Sequence, residues 1–404
     1  MQIINREFSL FLLTRLIFTI GMKMVPVLLG WYLYELTESK LALGLLGLSE
    51  VIPAIVFALP AGVKVDTSAK RSLILKCIRG YIIILLMMVL VTSDYFGSQL
   101  SILVKQYFIF LLVGLTGWVR AYISPSFSAI LAQLVSQESL VQAASYNSMT
   151  WLIAAVIGPA FAGLMIGFFS ISFSFLVAIL LMISAGIVIS RIQEKEISYD
   201  PGKTRTWQSV MEGLRFVKDQ KALLGAMGLD MFAVLFGGVV ALLPVFAKDI
   251  LHIGPQAFGL LMAATYLGNF LAILFLTKFP LSGQQGYKLM YSIAGFGICI
   301  IIFAISKSFW VSFAVLFISG LFDGVSVIIR GTIFQLLVPD QMRGRVSSVS
   351  SIFINSSNEL GQFESGLAAS VLGTVPSVIF GGCMTLLVTT IAWIKIPALK
   401  KLEY

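Results

Sequence analysis

The chain has 404 residues, of which 58% are apolar and only 12% are charged, and its formal net charge is +9. Soluble domains are nearer half apolar and a quarter charged, so this composition excludes an ordinary cytosolic enzyme. The charged residues form short clusters, and the apolar runs between them are long enough to cross the ~30 Å hydrocarbon layer of a membrane as helices. The sequence therefore predicts an all-α integral membrane protein.

The first apolar stretch starts near Phe8 and is too long, and too polar in its middle, for a cleaved signal peptide. It is therefore predicted to remain as the first membrane helix. The apolar pattern predicts twelve spans, at 8–34, 41–63, 72–93, 101–131, 145–167, 169–190, 222–247, 256–279, 287–306, 309–337, 346–372 and 376–396.

Lys and Arg are distributed unevenly over the loops between these spans. Loops on the side of the N-terminus hold 20 of the 28 basic residues, loops on the other side hold 4, and 4 lie within spans. Positively charged loops stay in the cytoplasm, so both termini are predicted to be cytoplasmic. Such loops face anionic lipid, and this accounts for the net charge without a nucleic-acid partner.

A polar stretch at 191–221 divides the spans six and six, which predicts a first half at 1–190 and a second half at 222–404. Apolar residues recur at helical spacing within the stretch. This pattern is typical of an amphipathic helix at the cytoplasmic interface, with a solvated surface helix as the alternative. The apolar positions are Trp207, Val210, Met211, Leu214 and Val217.

The two halves share short motifs. Gly114 and Leu115 recur 206 residues later as Gly320 and Leu321, and further matches follow at an offset of 203. The repeat predicts two pseudo-symmetric halves of six helices each. In membrane proteins built this way the substrate site lies between the halves, and one half rocks against the other to give alternating access.

The sequence lacks the groups of residues that usually bind metals and cofactors. The three cysteines, Cys77, Cys299 and Cys383, stand singly, and the one histidine, His252, falls in a short loop. These residues predict neither a disulfide framework nor a metal site, and no cofactor is expected. A phosphate-binding GxxxxGK[ST] loop is also missing from the sequence, so energy is expected to come from an ion or substrate gradient.

The loop after the second span reads GVKVDTSAKR and contains Gly62, Asp66, Lys70 and Arg71. Asp66 is expected to cap the following helix or to pair with a base. Lys70 and Arg71 are expected to anchor the loop at the lipid headgroups. In the fifth span, Gly158-Pro159 removes one backbone hydrogen bond and permits close helix approach.

These motifs resemble the major facilitator superfamily, whose second-span loop has the pattern Gly-x-x-x-Asp and whose exporters carry a Gly-Pro signature in the fifth span. The resemblance implies the major facilitator fold and a conformational gate at both motifs. Longer segments resemble the branch that includes the enterobactin exporter, macrolide efflux proteins and transmembrane secretion effectors. They are GWYLYELT (30–37), LGAMGLDMFAVLFGGVVALLPVFA (224–247), MRGRVSSV (342–349) and SNELGQFESG (357–366).

Nine charged residues fall inside the predicted spans, where a charge costs roughly 2.5–3.5 kcal/mol even on the most lenient scale. Four cations face five carboxylates, so at least one carboxylate lacks a cation and is a candidate for proton coupling. The cations are candidates for substrate binding or charge pairing. The cations are Arg15, Lys23, Arg120 and Arg330, and the carboxylates are Glu50, Asp230, Asp323, Glu359 and Glu364.

Some pairings of these charges are expected from position. Aligning the halves sets Arg15 opposite Asp230, which predicts an ion pair between the halves. Asp323 and Arg330 are seven residues apart on one helix face, about 10 Å along the axis, so water or a third group would have to join them.

Glu50 and Glu359 are the favoured titrating groups, because neither has a basic residue within one turn of its own helix. Glu359 and Glu364 point about 140° apart and cannot line one narrow cavity in the same way. Lys23 is expected either to bind an anionic substrate or to balance Glu50. For every one of the acids, a purely structural hydrogen bond is the alternative.

The charges and the repeat predict a secondary transporter, with proton antiport as the expected coupling. The resemblance and Gly158-Pro159 imply export, and the resemblance implies a siderophore-like or drug-like substrate and a bacterial inner membrane. The expected partners of the transporter are the substrate, protons and membrane lipids, and it is expected to act as a monomer. Import or uncoupled facilitation of a metabolite is the alternative within transport. A non-transporting sensor or scaffold is the alternative from another class, and the intramembrane charges in both halves argue against it.

Overall fold

The structure, a computed structural model, describes residues 5–195, 207–339 and 341–400. The described residues form helices and connecting turns, without a strand among them. A helix satisfies its backbone hydrogen bonds internally, as a segment surrounded by lipid must do. The chain divides into two compact units: unit 1 comprises Met1–Glu38 and Ser49–Thr204, and unit 2 comprises Ser39–Leu48 and Arg205–Tyr404.

The helices of the first part of the chain begin at polar caps. Asn5 accepts a hydrogen bond from the backbone N–H of Phe8, and the hydroxyls of Ser101 and Ser170 cap two later helices in the same way. The helices are α1 (Arg6–Thr37), α2 (Lys40–Val56), α3 (Ala58–Asp66), α4 (Lys70–Thr92), α5 (Ile102–Leu134), α6 (Leu140–Phe168) and α7 (Ile171–Ser190).

The rest of the chain, all in unit 2, continues with long helices and a few short ones. They are α8 (Trp207–Asp219), α9 (Lys221–Gly237), α10 (Leu243–Val245), α11 (Pro255–Lys278), α12 (Gln285–Ile305), α13 (Phe309–Leu337), α14 (Arg343–Leu372), α15 (Thr374–Lys395) and α16 (Pro397–Lys400).

Each of the twelve predicted spans coincides with helical structure. Within the described residues, ten helical segments are long and apolar enough to cross a membrane, and α2 with α3 makes an eleventh if the bent pair is one span. The predicted span at 346–372 corresponds to α14. Its many Ser, Asn, Gln and Glu residues make it too polar to be assigned to the membrane on composition alone.

The second predicted span is bent by 49° between α2 and α3. Pro60 has no backbone N–H, so the carbonyl of Val56 loses its usual helical partner at this point. Helical hydrogen bonds continue on both sides, from Phe57 N–H to the Pro53 carbonyl and from Ala61 N–H to the Phe57 carbonyl. The bend therefore follows from one proline.

The seventh predicted span, 222–247, is regular only as far as Gly237, where α9 ends. Gly238 leaves the helical region with φ −75° and ψ 81°, and a 3₁₀ turn, α10 and a π-helical turn follow. The hydroxyl of Ser365 donates to the Gly238 carbonyl at 2.9 Å. This hydrogen bond satisfies a backbone group that the break has released.

The predicted amphipathic helix is α8, and it packs on α14 within unit 2. Val217 is buried in the apolar core beside Val346 and Val349, and Glu212 pairs with Arg345 at 2.9 Å. Val217 thus packs against protein, whereas Leu214 on the same helix is exposed. The side chain of Trp207 lies outside the described part of the chain.

Glycines allow α11 and α13 to approach closely. A methyl group on Gly320 would collide with the carbonyl oxygen of Thr265, and one on Gly268 would collide with that of Phe317. Small residues at a helix interface are what permits such contact between backbones. The close approach places polar side chains of α11 and α13 within reach of one another.

Gly320→Ala is expected to lower the melting temperature, because overpacking at a tight contact costs about 1–3 kcal/mol. Gly331→Ala on the same helix is the matched control, since a Cβ there would meet nothing within 4 Å. The control is expected to keep or raise the melting temperature. Thermal unfolding of both purified variants in detergent makes the comparison, and equal melting temperatures would contradict the packing argument.

Candidate functional site

Two of the four predicted intramembrane carboxylates of unit 2, Asp230 and Asp323, meet at Arg330 on α13. One guanidinium nitrogen, Nη1, contacts Oδ2 of Asp230 on α9, and Nη2 lies 3.9 Å from Oδ1 of Asp323. Nε donates to the backbone carbonyl of Ser326 at 3.3 Å and to its hydroxyl at 3.2 Å. Asn269 on α11 donates from Nδ2 to Oδ2 of Asp323 at 2.6 Å. These five residues are called the Arg330 cluster below.

The geometry of α13 explains why Arg330 reaches Asp323 without an intermediary. Side chains on a helix point toward its N-terminus, so Arg330 runs back past Ser326, one turn away, toward Asp323 two turns away. The expectation that water or a third group must join Asp323 and Arg330 is therefore wrong. It counted the rise along the axis and left out the length of the arginine side chain.

The cluster is largely shielded from solvent. Asp230 is 7% exposed, and the side chains of Arg330 and Asp323 are 16% and 32% exposed. One guanidinium faces two carboxylates, so the five residues together carry one unmatched negative charge. The amide oxygen of Asn269 is buried and has no hydrogen-bond partner among the described residues. The cluster therefore has both a surplus charge and an unused acceptor.

A small cavity of about 20 Å³ lies against the cluster. Sites for drug-sized ligands are larger, roughly 300–1,000 Å³, so this space suits water and protons better than a bulky substrate. Its lining combines two carboxylates and two hydroxyls with apolar side chains. The lining residues are Asp230, Ala233, Val234, Ser292, Ile293, Phe296, Phe322, Asp323 and Ser326.

In unit 1, Glu50 on α2 pairs with Arg120 on α5, with 2.6 Å between Oε1 and Nη1. Gly117 places the backbone of α5 directly against Glu50. The base that pairs with Glu50 thus lies on a different helix. Spacing along α2 alone could not reveal it.

The other two cations of unit 1 lie over aromatic rings. The guanidinium carbon of Arg15 is 4.7 Å from the ring centre of Phe127, and the ammonium of Lys23 is 4.8 Å from that of Trp151. Asp230, which the sequence set opposite Arg15, pairs within unit 2 with Arg330 on α13. The ion pair of Arg15 with Asp230 between the halves stays a prediction.

The two acids of α14 have different surroundings. Glu359 is buried and accepts a hydrogen bond from Nε2 of Gln362 at 2.7 Å. Glu364 is half-buried and lies beside Ser365, whose hydroxyl reaches the break in the seventh span. Neither acid belongs to the Arg330 cluster.

Lys70 is 7% exposed, and its ammonium donates to the backbone carbonyls of Val65, Asp66 and Ser68. It thereby caps the C-terminal end of α3, where a positive charge is favourable. The expectation that Lys70 anchors the loop at lipid headgroups is wrong. Asp66 does not cap the next helix either, since the N-cap of α4 is Ala69 and makes no side-chain hydrogen bond.

Arg71 also binds protein. Its guanidinium donates to the Ile192 carbonyl at 2.7 Å and pairs with Glu194 at 3.1 Å. Glu194 in turn accepts from the backbone N–H of Ser72 at 3.2 Å. These contacts tie the segment after α7 to the start of α4. Gly62 lies buried within α3.

Gly158 and Pro159 lie inside α6, which continues through the proline. A Cβ on Gly158 would come within 2.9 Å of the Ile20 carbonyl and within 2.7 Å of the Lys23 side chain. The glycine therefore permits close contact between α1 and α6, as the sequence led us to expect.

Asn269 is the member of the Arg330 cluster that the sequence reasoning missed. The signal for it was a single amide in the apolar run TYLGNFLAILFL. An amide in such a run has to find a polar partner on another helix, which here is Asp323.

The family model for transmembrane secretion effectors matches residues 3–403. The chain belongs to this family. It is similar to the staphyloferrin A transporter of Staphylococcus aureus, at 24% identity over 387 residues and 93% of each chain. It is also similar to macrolide efflux protein A of Streptococcus pyogenes, at 24% identity over 85% of this chain and 84% of the relative. The enterobactin exporter EntS of Escherichia coli is 24% identical over 57% of this chain and 56% of its own length.

Among solved structures, the fold matches a bacterial homologue of the human lysosomal transporter Spinster. The TM-score is 0.75 at 14% identity, over 99% of each chain. The predicted major facilitator fold and the predicted family are thus confirmed. The chain is a multi-pass membrane transporter of the major facilitator type, with a small molecule as its substrate, and it is not an enzyme.

Arg330→Leu is expected to destabilise the protein more than Asp230→Asn. The first leaves the buried Asp230 and the partly exposed Asp323 without their cation, and loss of one partner from a buried pair costs about 3–5 kcal/mol. The second leaves Arg330 with Asp323. Thermal unfolding in detergent measures both, with Arg79→Leu at an exposed arginine of α4 as the control. A larger loss in Asp230→Asn than in Arg330→Leu would refute the shared-cation arrangement.

Proposed function

We propose that the chain exports a small molecule in exchange for protons, and that the Arg330 cluster is its proton-coupling site. The observation that carries the proposal is the sharing of one guanidinium by two carboxylates, Asp230 and Asp323. On this proposal the transporter works as a monomer in a bacterial inner membrane, with both termini in the cytoplasm.

The negative charge of the cluster explains how proton binding could be coupled to a change in helix packing. Without a bound proton, Asp230 and Asp323 compete for Arg330, and one negative charge remains in a region where charge is expensive. Addition of one proton to either carboxylate leaves a neutral one-to-one pair. Asp230 lies on α9 and Arg330 on α13, so protonation of Asp230 weakens a tie between these two helices. Proton binding then favours a different packing of α9 and α13.

The direction and substrate class come from the relatives. Two of them are named for siderophores, staphyloferrin A and enterobactin, and one is named for macrolides. Two of the three names also state export or efflux. These names support export of a siderophore-like or drug-like molecule by this chain, with alternating access between its two sides.

Cells that carry the gene are expected to retain less of an exported compound than cells that lack it. Intracellular staphyloferrin A, enterobactin and the macrolide erythromycin would be quantified in both strains. A lower level of the siderophores alone, or of the macrolide alone, assigns the substrate class. A higher level in cells with the gene would instead indicate import, and identical levels of all three compounds would contradict the proposed export.

Asp230→Asn and Asp323→Asn are each expected to abolish uphill transport driven by a pH gradient, because neither retains the surplus carboxylate. Substrate exchange at equal pH on both sides is expected to continue, since it needs no net proton movement. Proteoliposomes containing the full chain allow both measurements.

Glu138→Gln is the matched control, because Glu138 is an exposed carboxylate outside the predicted spans. It is expected to transport like the wild type in both assays. Full gradient-driven transport in both aspartate variants would overturn the assignment of the Arg330 cluster to coupling.

A further inference from the structure

The nine charges within the predicted spans divide unequally between the two units. Unit 2 holds one cation and four carboxylates, whereas unit 1 holds three cations and one carboxylate. The one carboxylate of unit 1, Glu50, is paired with Arg120 on α5. The other two cations of unit 1, Arg15 and Lys23, both lie on α1.

Arg15 and Lys23 belong to a polar stripe on an otherwise apolar helix. Thr19 lies between them, so a polar residue recurs every four positions, which is the spacing of neighbours on one helix face. The stripe extends about 12 Å along the axis of α1. Its neighbours on the helix, including Phe18 and Met24, are apolar and buried.

Two atoms of the stripe lack hydrogen-bond partners. Nε of Arg15 and the hydroxyl oxygen of Thr19 are both buried, and neither finds a partner among the described residues. A guanidinium has five N–H donors, and a ring face such as that of Phe127 can attract its charge without accepting all of them. A buried donor that stays unsatisfied is destabilising, so its presence suggests a role beyond packing.

Arg15 is also not sealed inside the protein. The residue as a whole is half-buried, and so is Lys23, although the Nε atom of Arg15 is covered. Part of each long side chain is therefore exposed at the surface of the protein. The ring of Trp151 lies beside Lys23 and adds a flat apolar surface to the same region.

We propose that Arg15 and Lys23 bind the acidic groups of the transported molecule, so that the substrate is an organic anion. This inference rests on the proposed transport function and specifies its substrate class. An anionic group on the substrate would supply the acceptor that Arg15 lacks, and carboxylates fit the planar guanidinium with two parallel hydrogen bonds. The two cations on one stripe fit a molecule with more than one acidic group.

The test uses the full chain in proteoliposomes with an imposed pH gradient and two dyes, anionic carboxyfluorescein and cationic rhodamine 123. The wild type is expected to move carboxyfluorescein. Loss of a charge-assisted hydrogen bond in Arg15→Gln is expected to raise the KM for carboxyfluorescein at least about tenfold. Arg15→Lys keeps the charge but not the planar fork, and is expected to raise the KM by about threefold.

Arg79→Gln is the matched control, an arginine exchanged in the same way at an exposed position of α4. Its KM is expected to stay at the wild-type value. Lys23→Gln is expected to raise the KM for carboxyfluorescein as Arg15→Gln does. Melting temperatures of all variants are measured alongside, and Arg15→Lys keeps the test valid if Arg15→Gln fails to fold.

The outcomes separate this inference from the proposed function. Transport of rhodamine 123 but not of carboxyfluorescein would overturn the anion site and leave proton-driven export standing. An equal loss of both dyes in Arg15→Gln would assign Arg15 a structural role and also overturn the site. A wild type that moves neither dye would contradict both proposals. Asp230→Asn is expected to lose gradient-driven transport while keeping the wild-type KM for carboxyfluorescein exchange.

Discussion

A charged side chain surrounded by hydrocarbon is unstable unless a counter-charge or several hydrogen bonds reach it, and this constraint orders much of the structure. It joins α9 to α13 through Asp230 and Arg330, and α2 to α5 through Glu50 and Arg120. Each link connects helices that lie far apart in the sequence. The ion pairs therefore determine which helices pack together, whereas the apolar side chains on the rest of the helix surfaces are less selective.

The same constraint applies to backbone groups wherever a helix is interrupted. The break after α3 exposes carbonyl groups, and Lys70 turns inward to bind them. The break after α9 exposes the Gly238 carbonyl, and Ser365 binds it. In both cases a polar side chain donates hydrogen bonds to carbonyl groups that an interrupted helix leaves without a backbone partner. This explains why Lys70 is buried although it lies in a loop rich in basic residues.

The fold could be predicted from the sequence, because the length of an apolar run determines whether it can span the membrane. Each predicted span coincides with helical structure. The family could also be recognised from the motifs at 30–37 and 357–366. The partners of the charges were harder to predict. The internal repeat predicted a pairing of Arg15 with Asp230, whereas it gave no sign of the contact between Arg330 and Asp230, which depends on how α9 and α13 pack. The reach of Arg330 to Asp323 depends on its side-chain rotamer, which spacing along a helix does not specify.

The unmatched charge of the Arg330 cluster also bears on the electrical side of transport. The cluster can be neutralised by a single proton, so the proposed cycle carries one positive charge inward for each turnover. If the exported molecule is an anion, its outward movement transfers charge in the same sense. An inside-negative membrane potential then drives both movements, at about 2.3 kcal/mol per elementary charge for each 100 mV. A transporter with this division of charge would be powered by voltage as well as by the proton concentration difference.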